Sequence, residues 1–243
     1  MRPALHRYHV GLDDTDAGIS IGTGALAREL QLHLVQRFGG AAAGITRHQL
    51  LVHPDIPYTS HNSANCLVVD LGAAPAEVAA ACEALIRFLR HDGADPGLCV
   101  VDREALSLAA LAFARRAQRE VVRKDEALAL GRAEEVHLVE LGGAGIGVIG
   151  ALAACALRLS GDDGRFVSLA GVRDLTGDLT VAAIRARAPI DRVVDDAGVE
   201  LGPDCVVRTA GWVRPVLSGG ATVLRVDRRD GAYVIVNRKR EEE

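Results

Sequence analysis

"HVGLDDTDAGISIGTGALAREL", residues 9–30, decides how the rest of the chain is read. An apolar run ends in Asp13, Asp14 and Asp16, and a glycine-rich run follows to Thr23. Beyond it Leu26, Leu30, Leu34 and Phe38 recur at helical spacing before "FGG". The pattern predicts a strand over 6–12 and a helix over 23–38. Three carboxylates within four positions repel one another unless a cation or water lies between them. One reading is a hard-metal site, since Mg²⁺ takes oxygen ligands and bridges one or two carboxylates to phosphate. The other is a solvated turn in which Thr15 or Asp16 satisfies backbone donors. Glycine-rich backbone before a helix N-terminus offers amides and a positive dipole end to an anion. Acids beside such a cradle suit a nucleotide triphosphate. No Walker lysine follows the run. Thr23 is either the helix N-cap or a hydroxyl for metal or phosphate.

Working outward, strands are expected at 43–52, 65–71 and "GLCVV", with a helix in "APAEVAAACEALIRFLRH" that opens at Pro75. The order βαββαβ over residues 1–102 is that of a ferredoxin-like sandwich. An arginine-rich helix over roughly 103–123 is expected to lead to a second unit. That unit opens with a strand at 134–141, then the loop "GGAGIG" and the helix "VIGALAACALRL". From residue 179 short β runs are expected, "LTVAAIRA" among them. The fold class is therefore α+β: two ferredoxin-like (βαββαβ-type) sandwich domains, 1–103 and 125–243, joined by a long helix at 104–124.

The chain has 243 residues, 49% hydrophobic and 25% charged, which suits one large or two ordinary globular domains. Aromatics are only 3%, so the core is expected to be Val, Leu, Ile and Ala. A net charge of −4 gives no overall basic excess for an unassisted grip on nucleic acid. Five cysteines without a CxxC pair argue against a disulfide framework or a cysteine zinc site. They read as small buried residues in a reducing, cytoplasmic setting. No run of about 18 apolar residues appears, and the longest apolar helix candidate, "GVIGALAACAL", is too short to span a bilayer.

A second glycine loop, "LGGAGIGVIGALAA" (141–154), carries Gly143, Gly145, Gly147 and Gly150. Its GxGxxG match is weak without a Rossmann unit around it. It reads equally as a phosphate-approach loop or as close helix packing. The loop "HPDIPYTSHNSAN" (53–65) holds His53, Asp55, Tyr58, Thr59, His61, Asn62 and Asn65, dense enough in polar groups for a site wall. Arg173, at the end of a later strand, is a candidate to face a triphosphate.

These motifs, in this order, resemble the TiaS-like family, the archaeal agmatidine synthetases that modify the anticodon cytidine of an isoleucine tRNA. The family's "G-[IL]-D-D-T-D-S" is similar to Gly11 through Ala17, with Thr23 at its matching threonine. Its "NPNIPWKTRGNGA" resembles "HPDIPYTSHNSAN", its "NPG" resembles "DPG" (95–97), and its "GNGRGIIGALAA" resembles "GGAGIGVIGALAA". The resemblance implies a kinase-like domain and a ferredoxin-like domain with ATP and Mg²⁺ between them. It implies that Asp13, Asp14 and Asp16 hold metal and phosphates, and that Thr23 accepts phosphate. Gly11, Thr15, Gly22, the 143–150 glycines, His61 and Arg173 would line the nucleotide. The family's Lys and Arg in the proline loop are Thr59 and His61 here, and the Asn and Arg of its glycine loop are Ala144 and Ile146. Its tRNA-gripping OB-like and zinc-ribbon domains have no counterpart in this sequence. Three functions are therefore weighed: an ATP- and Mg²⁺-dependent phosphotransferase or ligase acting on a small substrate, a nucleotide-binding module without chemistry, and a tRNA-modifying enzyme served by a partner.

Overall fold

The computed structural model describes residues 4–15, 22–56, 62–209 and 213–235. They form two compact units that divide between Ser160 and Gly161. The first unit begins with β1 (His6–Asp13), α1 (Thr23–Phe38), β2 (Gly40–Gln49), β3 (Ser63–Leu71), α2 (Pro75–Leu89) and β4 (Gly97–Val101). It continues with α3 (Leu108–Ala117), α4 (Lys124–Ala133), β5 (His137–Glu140) and α5 (Val148–Leu159). Its strands run in the order β5-β4-β1-β3-β2, every neighbour antiparallel.

Side chains alternate across a strand, so β1 serves both faces of the sheet. The Tyr8 hydroxyl donates to the Ala73 carbonyl just before α2, at 2.5 Å. Val10 and Leu12 share that face with it, and α1 and α2 pack there. Helix α1 buries Leu26, Ala27, Leu30, Gln31 and Leu34. It stops at Gly39, in the left-handed region (φ 69°), whose N–H donates to the Val35 carbonyl. Residues His9, Gly11 and Asp13 belong to the opposite face, and α5 packs across it. A Cβ on Gly11 would overlap the carbonyl of Ala151. Glycine is required there for the helix backbone to lie directly on the strand.

Helix α5 is buried almost all round, from Val148 and from Gly150 through Leu157. A helix apolar on every side needs cover on every side. The sheet covers one side of it, and α3 and α4 pack against it from outside. This cover moves the unit boundary. Residues 125–160 complete the first unit, where the sequence places them in a second domain. In place of the long helix expected over 104–124 there is one short helix, α3, and α4 begins only at Lys124. Ser107 caps α3 by accepting from the Ala110 N–H at 3.2 Å, and the chain turns through 118–123 before α4.

The second unit contains β6 (Arg165–Ser168), a 3₁₀ turn (Val172–Asp174), β7 (Gly177–Thr180), α6 (Val181–Arg187) and β8 (Arg192–Val194). Strands β9 (Val206–Thr209), β10 (Val216–Ser218), β11 (Ala221–Arg229) and β12 (Ala232–Ile235) follow. Strand β11 pairs with β10, β8 and β12, and β9 joins β12 to β7. The core includes Leu179, Ile184, Val193, Val207 and Leu224. The expected βαββαβ order is not what the described residues form here. "LTVAAIRA" is a helix from Val181 onward, because Thr180 Oγ1 accepts from the Ala183 N–H at 3.1 Å and caps it.

Cys66, Cys82, Cys99 and Cys155 are buried free thiols. Burial pushes Cys66, Cys82 and Cys155 above the usual thiol range, which keeps them protonated. No helix among the described residues is long and apolar enough to cross a membrane.

Gly11→Ala is expected to cost about 3 kcal/mol in urea unfolding, because α5 must lift off β1. Gly202→Ala is the control, since among the described residues no atom beyond its chain neighbours lies within 4 Å of its Cβ position and it should change little. A second expectation concerns His9, 7% exposed under α5. Desolvation first, then Arg158 on α5 and Arg7 on β1, lower its pKa to about 4, with Asp70 opposing. The unfolded chain takes up this proton near pH 6.5, and the folded chain refuses it until about 4. This contribution is therefore complete above pH 6.5 and falls by up to about 3 kcal/mol as pH drops to about 4. Urea midpoints between pH 7.5 and 4.5 should show that slope, and His9→Gln should flatten it.

Candidate functional site

Asp13 ends β1, paired with Gly97 of β4. Asp14 turns the chain in the left-handed region (φ 53°), and its backbone N–H donates to Asp13 Oδ1 at 2.9 Å. The other carboxylate oxygen lies against the first turn of α5. A Cβ on Gly150 would overlap it. The first turn of α5 thus lies directly against a carboxylate. Gly97 and Gly147 meet backbone to backbone, and neither position admits a side chain. Four glycines, at 11, 97, 147 and 150, let α5 enter at the acidic end of the sheet.

The 142–147 loop is clamped from two sides. Asp95 Oδ1 accepts from the Gly145 N–H at 3.2 Å, and the Asp95 carbonyl accepts from the Gly147 N–H at 3.1 Å. A Cβ on Gly143 would overlap the same carboxylate. On the outer side, the Lys124 ammonium donates to the Ala144 carbonyl at 2.7 Å and to Glu140 Oε2 at 3.0 Å. Gly143 and Gly145 have positive φ, 53° and 69°, which the tight loop demands.

Across the sheet, the first acidic turn is tied to α1. Thr15 Oγ1 donates to Thr23 Oγ1 at 3.1 Å, and both residues are buried. Gly22 is the N-cap of α1, and its carbonyl accepts from Ala25 and Leu26. Among the described residues no side chain caps α1.

Of the residues singled out in the sequence, Gly11, Asp13, Asp14, Thr15, Gly22, Thr23, Gly143, Gly145, Gly147 and Gly150 all belong to the first unit. Asp13 meets the 143–150 segment directly, within one unit. Asp16 and His61 lie outside the described residues. Arg173 is in the 3₁₀ turn of the second unit. Among the described residues no group of three or more His, Cys, Asp or Glu is placed to hold a metal. Lys124 and Glu140 were not legible as site residues, for they sit on elements that carry no motif. Asp95 carried a faint signal in "DPG".

No family model and no curated protein matches the chain. Solved structures do. A tRNA fluorescent labelling enzyme matches at 28% identity and a TM-score of 0.54, over 62% of this chain and 36% of its own. TiaS, an agmatidine synthetase that acts on an isoleucine tRNA, matches in its apo form at 27% identity and 0.53, over 62% and 35%. Its complex with that tRNA and ATP matches at 28% and 0.54, over 62% and 36%. The chain thus spans little more than a third of the length of these proteins.

Asp95 is expected to set the loop's order. Asp95→Ala should speed hydrogen exchange at the Gly145 amide about fivefold or more, the loss of roughly 1 kcal/mol of hydrogen bonding, with the amides of β1 unchanged. Over the matched 62% of its length, the chain is similar in fold and sequence to TiaS and to the tRNA labelling enzyme.

Proposed function

We propose that the first unit is the nucleotide site of an ATP- and Mg²⁺-dependent phosphotransferase or ligase, built like the catalytic core of TiaS and acting on a small substrate. One observation carries this reading: the Asp13 carboxylate and the first turn of α5 meet at Gly150, so the second glycine loop opens onto the acidic strand end. The donor set fits magnesium, which needs only one or two carboxylates when phosphates supply the rest. Asp13 and Asp14 would hold it, and Asp16 would join them. Bound there, Mg²⁺ would neutralise phosphate charge.

The chain's own groups do the positioning. The α5 N-terminus would face the anion, while the Gly145 and Gly147 amides are bonded to Asp95 and hold the loop's shape. Lys124 and Asp95 hold that loop in shape. Thr15 orients the Thr23 hydroxyl, which matches the family's phosphate-accepting threonine. Phosphoryl transfer is mostly positioning and charge neutralisation, so this inventory suits it. TiaS itself has been solved with its tRNA and ATP, and with its tRNA, AMPCPP and agmatine.

A binding module without chemistry is the second reading. It is favoured by Thr59, His61, Ala144 and Ile146, which stand where the family carries Lys, Arg, Asn and Arg.

ATP with Mg²⁺ at about 100 times its Kd should stabilise the protein by about 2.7 kcal/mol, seen as a rise in Tm. Asp13→Asn should remove the magnesium-dependent part. No response at millimolar ATP and Mg²⁺ overturns the proposal. Release or transfer of label from γ-labelled ATP separates enzyme from binding module, and a salt-sensitive mobility shift with tRNA identifies an RNA substrate.

A further inference from the structure

The glycine loop at 142–147 has no lysine or arginine of its own. Lys124 touches it, but that ammonium is engaged by Glu140 Oε2 at 3.0 Å and by the Ala144 carbonyl at 2.7 Å. A second cation reaches the loop from α2. Arg90 is the C-cap of that helix, and its backbone N–H donates to the Ile86 carbonyl at 2.7 Å. Its Nη1 occupies the space that a Cβ on Gly142 would take, and the Ala94 carbonyl bounds the same space. Gly142 lacks a positive φ, so what its missing side chain provides is room.

Among the described residues no carboxylate pairs with this guanidinium. Arg87, one turn earlier, pairs with Glu83 at 3.1 Å. Asp95 is directed at Gly143 and the Gly145 N–H instead. Offsetting the dipole of α2 needs only a charge near its last carbonyls, and Arg87 supplies one. A guanidinium laid on the loop backbone goes beyond that. Its place in the sheet suggests why. Asp13 pairs with Gly97, and Gly97 with Glu140, so the end of β5 lies two strand spacings from Asp13, roughly 10 Å. The loop spans this interval. Gly142 touches Arg90 at one end, and Gly147 lies against the Asp13 carbonyl at the other. An acid and a cation thus flank the same short loop. Arg90 is only half-buried, so solutes have access to it. Its planar fork of N–H donors suits two oxygens of one phosphate.

Resting on the nucleotide reading above, we propose that Arg90 is a phosphate-binding residue of this site, its guanidinium donating to phosphate oxygens of the nucleotide across the loop from Asp13. The test is titration calorimetry of ATP with Mg²⁺ into the intact chain, unsubstituted and as Arg90→Gln and Arg90→Lys. Arg90→Gln should weaken binding about tenfold or more, the scale of a charge-assisted hydrogen bond. Arg90→Lys should recover part of the loss, since it restores the charge and not the fork. Added salt should cost the unsubstituted chain more affinity than Arg90→Gln, because one screened contact has gone. Hydrogen exchange at the Gly145 amide should be the same in all three, which separates phosphate binding from support of the loop. Arg90→Met, similar in length and uncharged, repeats the measurement should Arg90→Gln not fold. Equal binding by the unsubstituted chain and Arg90→Gln overturns this proposal alone. So does a weakening matched by faster exchange at Gly145, which would make Arg90 a prop for the loop. No binding of ATP by the unsubstituted chain removes the nucleotide reading and this proposal together.

Discussion

The contact on which the first unit depends is the approach of α5 to β1, where Gly11 lies directly beneath the Ala151 carbonyl. Backbone against backbone at that point fixes the height of the helix above the sheet. It also fixes where the helix begins, because Gly97 and Gly147 meet one turn earlier. The N-terminus of α5 is thereby delivered to Asp13. A side chain at any of these positions would hold the two apart and separate the glycine loop from the acids. The same approach buries α5 on all sides, so α3 and α4 are needed as its outer cover.

The charges at this strand end follow a consistent logic. Asp13 stands between an N–H donor at Asp14 and the first turn of a helix. The loop at 142–147 carries no cation of its own. Its shape comes from Asp95 below and Lys124 outside, and Glu140 partners the lysine. A pair of hydroxyls, Thr15 and Thr23, joins the acidic turn to α1. One end of one sheet therefore gathers carboxylates, backbone amides and hydroxyls, the groups that metal–phosphate recognition draws on.

Much of this was legible along the chain. The first six elements follow from apolar periodicity and end signals, and α1 occupies Thr23–Phe38 as its leucine spacing predicts. Alternation along β1 has two separate apolar partners, helices on one face and α5 on the other. From the sequence this looks like a single apolar run, so the second face stayed hidden. For the same reason α5, apolar all round, reads as the opening helix of a new domain, although it closes the old one. Short segments were harder. "LTVAAIRA" mixes β-branched residues with strong helix formers, and Thr180 marks where the strand ends and the helix begins by capping it. Lys124 gave no signal, because the partner that gives it a role, Ala144, is twenty residues away in sequence and adjacent only in the fold.

By itself the sequence determined that acids end the first strand, that glycine-rich backbone follows, and that a second glycine loop opens a helix. Those are local facts, set by residue type and spacing over a few turns of chain. Only the tertiary structure decided that the second loop and its helix meet the acidic strand end. That juxtaposition depends on the absence of a Cβ at Gly11 and Gly150, and on what lies opposite them, which no spacing rule encodes. It likewise decided that the Arg90 guanidinium rests on Gly142, since the two residues are far apart in sequence and only the assembled layers bring them together.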